Sequence, residues 1–426
     1  MSEQLSKAWL QRLKDESWEA ELLVAAVSIF GTLQLFSLVE WFADLFISLL
    51  PPSFYLVAYF VVFSAMLAIS ILSSMFIIHF MLRAYWVGLV GLNSVFSDYN
   101  LDDTASSKLY VEKLVAILPK LDESIDKSDR LCSVIFSAAF GFLMAYGWMF
   151  FSSTVYILLA NFLSAYVSHY LLFIPLFLLL VLLIIQMILN VICNLKRFKA
   201  HEALQTLYYK VSVLSSVLTF GPLYKAILQI SAIFGTNFKK DKALVNLVLL
   251  FVACGFCLAG VTLVSTNIPY LIRPSAFYNP TSAEPRYYQS QSPNETFLLA
   301  PQLNNDVIKA PLIEVFIPLF AYERGLHKTR CSAYSGLIDP NREERRQATL
   351  TCYTQYHEIS INGKAVKFDV IKTEHVATAQ HGIKAYVKID NYLASGYHRI
   401  EVRKTIFEEP QSWSIPFYYL HNSGQN

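Results

Sequence analysis

Between Arg130 and Lys196 the chain runs from 131 to 195 without one Asp, Glu, Lys or Arg. As helix that stretch would be ~97 Å long, enough to cross a ~30 Å hydrocarbon core twice with a turn between. Three further apolar runs share its texture: 22–50, ending at Pro51-Pro52; 54–82, closed by Arg83; and 243–270, between Lys242 and Arg273. Dividing the long run into 131–158 and 170–195, with 161–169 as the turn, predicts five transmembrane helices within 21–272.

Elsewhere the apolar positions change period. Residues 1–20 carry Leu5, Trp9, Leu10 and Leu13 at helical spacing among charges, predicting an amphipathic N-terminal helix. The segment 83–130 holds a stripe of Leu109, Leu114, Ile117, Leu121 and Ile125, and 196–242 one of Leu204, Leu207, Val211, Leu214 and Leu218, broken by Gly221-Pro222. Both predict helices lying in the membrane interface. After Arg273 the chain is rich in Pro, Ser and Asn as far as 308, reading as a linker that contains the sequon Asn294-Glu295-Thr296. From 309 to 426 the pattern alternates, with strands expected at 312–319, 348–355, 356–361, 364–371, 383–389, 397–406 and 413–420. Asn362-Gly363 is a two-residue hairpin signal, since both residues accept positive φ. The fold class is therefore an α-helical membrane domain followed by an all-β, sandwich-like domain.

Charge supplies the orientation. The net charge of +2 is uninformative, but its distribution is not. Residues 1–20, 83–130 and 196–242 together hold 17 Lys and Arg, whereas the short loops 51–53 and 161–169 hold none. The positive-inside rule puts the first three in the cytoplasm, and five spans then put the C-terminal domain outside. Of the 6 cysteines, Cys331 and Cys352 alone fall in that domain, so an oxidising compartment predicts a disulfide between them.

The stretch Leu393-Ala-Ser-Gly-Tyr-His398-Arg-Ile-Glu-Val402, following Asn362-Gly363, resembles the last strands of immunoglobulin-like domains of bacterial envelope proteins over about 355–420. That resemblance implies a domain that binds or braces other molecules.

Candidate chemistry is sparse. Glu40 and Asp44 share one helix face inside the first span, where carboxylates either pack near the outer interface or mark an ion path. Gln186, Asn190 and Asn194 form a polar stripe in the fourth span. Ser137, Gly141 and Ala145 make a small-residue face in the third, suited to close helix packing. Cys254-Gly-Phe-Cys257 lies in the middle of an apolar span with no charge nearby to activate a thiol. His375 and His381 lack a metal-ligand spacing, and the basic run 342–346 reads as solvated surface. No Walker loop, Rossmann fingerprint, nucleophile elbow or HExxH is present. We therefore expect no catalytic residues, metal or cofactor, and no nucleic-acid partner. The partners expected are the lipid bilayer and either another protein or a second copy of the chain. The leading expectation is an anchor or scaffold presenting a β domain. The alternatives are a transporter or channel component using Glu40, Asp44 and the Gln186–Asn194 stripe, and a membrane-embedded enzyme acting on a lipid.

Overall fold

A computed structural model describes residues 2–96, 107–237, 242–277, 283–292, 296–332, 341–389, 393–407 and 410–420. Asn294 and the acidic residue of its sequon lie outside them. The chain forms two compact units, Met1–Glu40 with Phe60–Ser265, and Trp41–Tyr59 with Thr266–Asn426.

The first unit is helical. Its elements are α1 (Ser2–Leu49, whose end belongs to the second unit), α2 (Tyr55–Val95), α3 (Lys108–Val115), α4 (Leu121–Leu163), α5 (His169–Asn194), α6 (Glu202–Phe220), α7 (Tyr224–Asn237) and α8 (Lys242–Val264). The five expected spans all correspond to long apolar helices: α1, α2 and α4 extend beyond their runs, α5 matches its own, and α8 stops at Val264, short of the expected 270. The expected amphipathic N-terminus is continuous with α1, and α2 continues past Arg83 to Val95. The stripe from Leu109 to Ile125 is split, ending as α3 before Pro119 and resuming as the start of α4. Large side chains such as Phe30, Phe177 and Val261 are 73%, 63% and 74% exposed, an outer surface suited to lipid and untenable in water.

A sixth stretch, Glu202–Thr236, is also long and apolar enough to cross a membrane. The structure folds it back on itself instead of laying it apart from the other helices. Along α5 and α6, Gln205 Nε2 donates to the Cys193 carbonyl (3.1 Å) and Ser215 Oγ to Gln186 Oε1 (2.5 Å), so the two helices run antiparallel. At the end of α6, Gly221 adopts φ +50° against the Trp148 indole of α4, where a Cβ would lie 2.7 Å from Cζ2. Only glycine fits there. Pro222 starts the next turn, and α7 then runs back along α4, placing Ile230 against Gly141. The apolar stripe of α6 faces away from the other helices. Leu207, Leu214 and Leu218 point outward, while Ser215 and Ser216 are buried against the neighbouring helices. Small polar residues inside and apolar ones outside is the arrangement of a helix bathed in lipid.

Gly255 of α8 meets α2 as closely. A Cβ there would fall 2.3 Å from Ile71 Cγ1 and 3.2 Å from both Ile71 Cα and N, whereas nothing lies within 4 Å of Gly260. Gly255→Leu should therefore separate α8 from α2, giving aggregated protein on size exclusion in detergent, while Gly260→Leu elutes like the parent. Equal behaviour of the two variants would contradict this packing.

In the second unit two sheets share one apolar core. The first has strand order β1-β3-β7-β6, made of β1 (Gln302–Leu303), β3 (Leu312–Pro318), β6 (Phe368–Glu374) and β7 (His381–Lys388). The second has order β2-β9-β8-β4-β5, made of β2 (Val307–Ile308), β4 (His357–Ile361), β5 (Lys364–Ala365), β8 (Gly396–Lys404) and β9 (Gln411–Tyr419). Pairing is antiparallel except between β2 and β9. Alternate residues of both sheets fill the core: Ile313, Val315 and Ile317 from β3, Ile383 and Val387 from β7, Ile400 and Val402 from β8, and Trp413 and Ile415 from β9. Asn362 and Gly363 take φ 50° and 77° between β4 and β5, as the hairpin signal requires.

Three expectations change here. Residues 348–355 are not a strand but the second half of α10 (Arg342–Tyr356), which follows the short α9 (Glu323–Arg330). A capping box starts α10: Asn341 Oδ1 accepts from Glu344 N (2.9 Å), and Glu344 Oε2 accepts from Asn341 N (3.0 Å). The β-branched Thr349 and Thr351 are tolerated because Ala348, Cys352 and Tyr356 bury one helical face. The expected 364–371 strand is two elements, β5 and β6, in different sheets. Part of the presumed linker belongs to the core: Tyr287 and Tyr288 are buried, Tyr288 donates its hydroxyl to the Pro416 carbonyl (2.5 Å), and β1 and β2 complete the two sheets. The Cys331–Cys352 disulfide is formed, with Cα atoms 5.6 Å apart, tying the end of α9 to α10.

Candidate functional site

The polar residues that the sequence singles out are largely engaged in packing. Asp44 is buried and accepts from Asn267 Nδ2 (2.8 Å), within the second unit. Glu40, one helical turn earlier, is half-buried and has no hydrogen bond or ion pair among the described residues. The stripe on α5 is not a continuous lining. Gln186 is taken up by Ser212 and Ser215 of α6, while Asn194 Nδ2 bonds Asn190 Oδ1 (2.8 Å) and its carbonyl (2.7 Å). Gly141 receives Ile230 as a small-residue face should, but Ser137 is exposed and turns its hydroxyl back to the Ser133 carbonyl (2.8 Å). Ala145 is half-buried. Cys254 and Cys257 are free thiols.

What the sequence reading missed is a charged centre in the first unit. Arg83, which in the sequence simply closes the second apolar run, is 2% exposed. Its guanidinium donates from Nη1 to Asp129 Oδ1 (2.7 Å) and from Nη2 to Glu21 Oε2 (2.5 Å), joining α2 to α4 and α1. Its face also lies 4.7 Å from the Trp86 ring centroid. One turn before it, His79 is fully buried with its ring 5.3 Å from Phe136, and neither ring nitrogen finds a partner among the described residues. A signal was available. Glu21 and Asp129 stand at the heads of the first and third spans and Arg83 at the foot of the second, so antiparallel packing brings all three to one level. The centre can lock three helices through a planar, bidentate cation.

The second unit has its own buried pair. Lys404 Nζ donates to Glu323 Oε1 (2.9 Å) and to the Pro318 carbonyl (2.7 Å), and it sits 5.3 Å from the Phe320 ring centroid. The side chains are 1% and 0% exposed. Burial pushes the Glu323 carboxyl above its ordinary range, and the Lys404 charge opposes that.

His375 closes the turn between β6 and β7. Its Nδ1 accepts from the Thr378 N–H (3.3 Å), a bond that requires an unprotonated nitrogen. Burial, and secondarily the Lys384 charge, lower its pKa. The folded form thus resists a proton that the unfolded chain takes up at about pH 6.5, so stability falls as the pH drops through that value. We expect the melting temperature of the full chain in detergent to decline from neutral to mildly acid pH, and His375→Asn, which keeps the acceptor but cannot titrate, to flatten the decline. An unchanged slope would show that the decline does not come from His375.

No protein-family model matches this chain, and neither a curated protein nor a solved structure matches it.

Proposed function

We propose that this chain is a non-enzymatic envelope protein of the bacterial inner membrane, holding a β-sandwich domain at the outer surface for contact with a protein partner. One observation carries the reading. Trp41–Tyr59, the tip of the first two spans, belongs to the same compact unit as Thr266–Asn426. Tyr322 N donates to the Ser48 carbonyl (3.2 Å), Asn267 engages Asp44 (2.8 Å), and Tyr55 and Tyr270 pack with ring centroids 6.0 Å apart. A domain merely tethered by a linker needs none of these bonds. One whose own fold includes the ends of the first two spans can transmit load to them. The two sheets around one core, together with the immunoglobulin-like texture of 355–420, favour binding or bracing over catalysis.

The orientation follows from the basic segments and the disulfide, with the N-terminus inside and the domain outside. The α6–α7 hairpin is consistent with it. Gly221 meets α4 at Trp148, about 27 Å along the helix from Arg130, and α7 returns toward the side from which α6 entered. The hairpin is thus re-entrant and leaves the parity of the five spans unchanged.

Purification at native abundance in mild detergent, with mass spectrometry of what co-purifies, tests the function. A stoichiometric partner protein is expected. A clean homo-oligomer whose Glu40→Gln variant loses a solute flux would overturn the scaffold reading in favour of transport, which Glu40, without a partner among the described residues, favours.

A further inference from the structure

The sheet β1-β3-β7-β6 ends in an open edge. β6 pairs with β7 from Phe368↔Val387 to Glu374↔His381, and among the described residues no backbone hydrogen bond reaches its other side. Beside that edge lies α10, and between the two is a cleft of about 960 Å³. Its walls carry Arg342, Arg345 and Arg346 from the helix and Lys372 from the strand, against the carboxylates of Glu343 and Glu374. Both carboxylates face cations of the cleft itself, Glu343 at 3.9 Å from Arg346 and Glu374 at 3.2 Å from His381. Arg342, Arg345 and Lys372 are left without an anionic partner among the described residues. Ile371, 47% exposed, gives the cleft an apolar foothold.

We infer that this cleft receives an extended acidic segment of a partner protein, which adds as a strand to β6 while its carboxylates meet the basic face of α10. An edge strand beside a helix suits strand addition: the main chain supplies affinity, and alternate side chains supply selectivity. Charges on an edge strand, here Asp369, Lys372 and Glu374, also keep like edges apart. Arg342 and Arg345, without an anionic partner among the described residues, go beyond that role, since self-repulsion between edges needs no basic side chains on a helix facing the strand. The inference rests on the scaffold reading and names the chemistry of its partner.

The test uses the full chain in detergent and fluorescently labelled peptides of about eight residues, slightly longer than an ordinary strand. One peptide alternates Glu with Val and another Lys with Val. Two more are the Glu–Val peptide N-methylated at every Glu or at every Val. We expect saturable binding of the Glu–Val peptide and at least about tenfold weaker binding of the Lys–Val peptide. Only alternate amides of an added strand point at its neighbour, so one N-methylated series should fail and the other should bind. Arg342→Glu with Arg345→Glu, both exposed, should abolish binding without shifting the melting temperature. No saturable binding, equal binding of the Lys–Val peptide, or indifference to both methylations would overturn the inference. A co-purifying partner retained by the double variant would remove the cleft while leaving the scaffold reading intact.

Discussion

Lys404→Met should unfold the β-sheet domain, the largest loss expected of any single substitution there. It strands Glu323, whose side chain is 0% exposed, beside an apolar group. Breaking a buried pair on one side costs about 3–5 kcal/mol, a large part of the stability of an ordinary domain. Limited proteolysis of the full chain in detergent would read this as rapid cleavage within 283–420. Two companions give the result its meaning. Adding Glu323→Leu removes the orphaned carboxylate and should restore most of the protection, because well-packed apolar replacements of buried pairs are often neutral. Acidification should also protect the single variant. Burial raises the Glu323 pKa, so the folded form holds the proton more tightly and the penalty grows as the pH rises through that value. If the double variant is as labile as the single one, Lys404 acts through its bond to the Pro318 carbonyl and not through the ion pair.

Arg83→Leu is the counterpart in the helical unit. Removing the guanidinium leaves Glu21, with its side chain 17% exposed, and Asp129, 36% exposed, facing an apolar site. Because Asp129 keeps access to solvent, about 3 kcal/mol is expected, the lower end for a broken buried pair. Arg83→Lys should recover only part of it, since a point charge cannot bridge two carboxylates in the guanidinium geometry. Unfolding temperature in detergent, followed by the accessibility of buried Cys132 to a thiol reagent, would report the loss. An Arg83→Leu protein as stable as the parent would show that α1, α2 and α4 are held by apolar packing alone.

The span-forming helices were legible because charge exclusion over 131–195 admits few physical alternatives. The strands around Asn362-Gly363 were legible because side-chain period and turn chemistry agree there. Other features turned on information that a linear pattern does not hold. An amphipathic stripe does not say which of its faces turns toward the other helices, and on α6 it is the small polar face, with Ser215 bonded to Gln186. The alternation at 348–355 hid a helix that Asn341 and Glu344 announce three positions apart. Among candidate sites, Asp44 stood out as an acid in an apolar run, but its partner Asn267 is 223 positions away. Arg83 ends an apolar run, where a cation ordinarily meets water, and its burial follows only once three helix ends converge.

The unit formed by Trp41–Tyr59 and Thr266–Asn426 also sets an order of events during synthesis. Its seat is made first and its domain last, with 60–265 between them. At about 5–20 residues per second the ribosome needs roughly 10–40 s to cover that interval. Throughout it, the Ser48 carbonyl and the Asp44 carboxylate wait for Tyr322 and Asn267, which have yet to be translated. The seat can therefore close only after the last long apolar helix, Lys242–Val264, has been made.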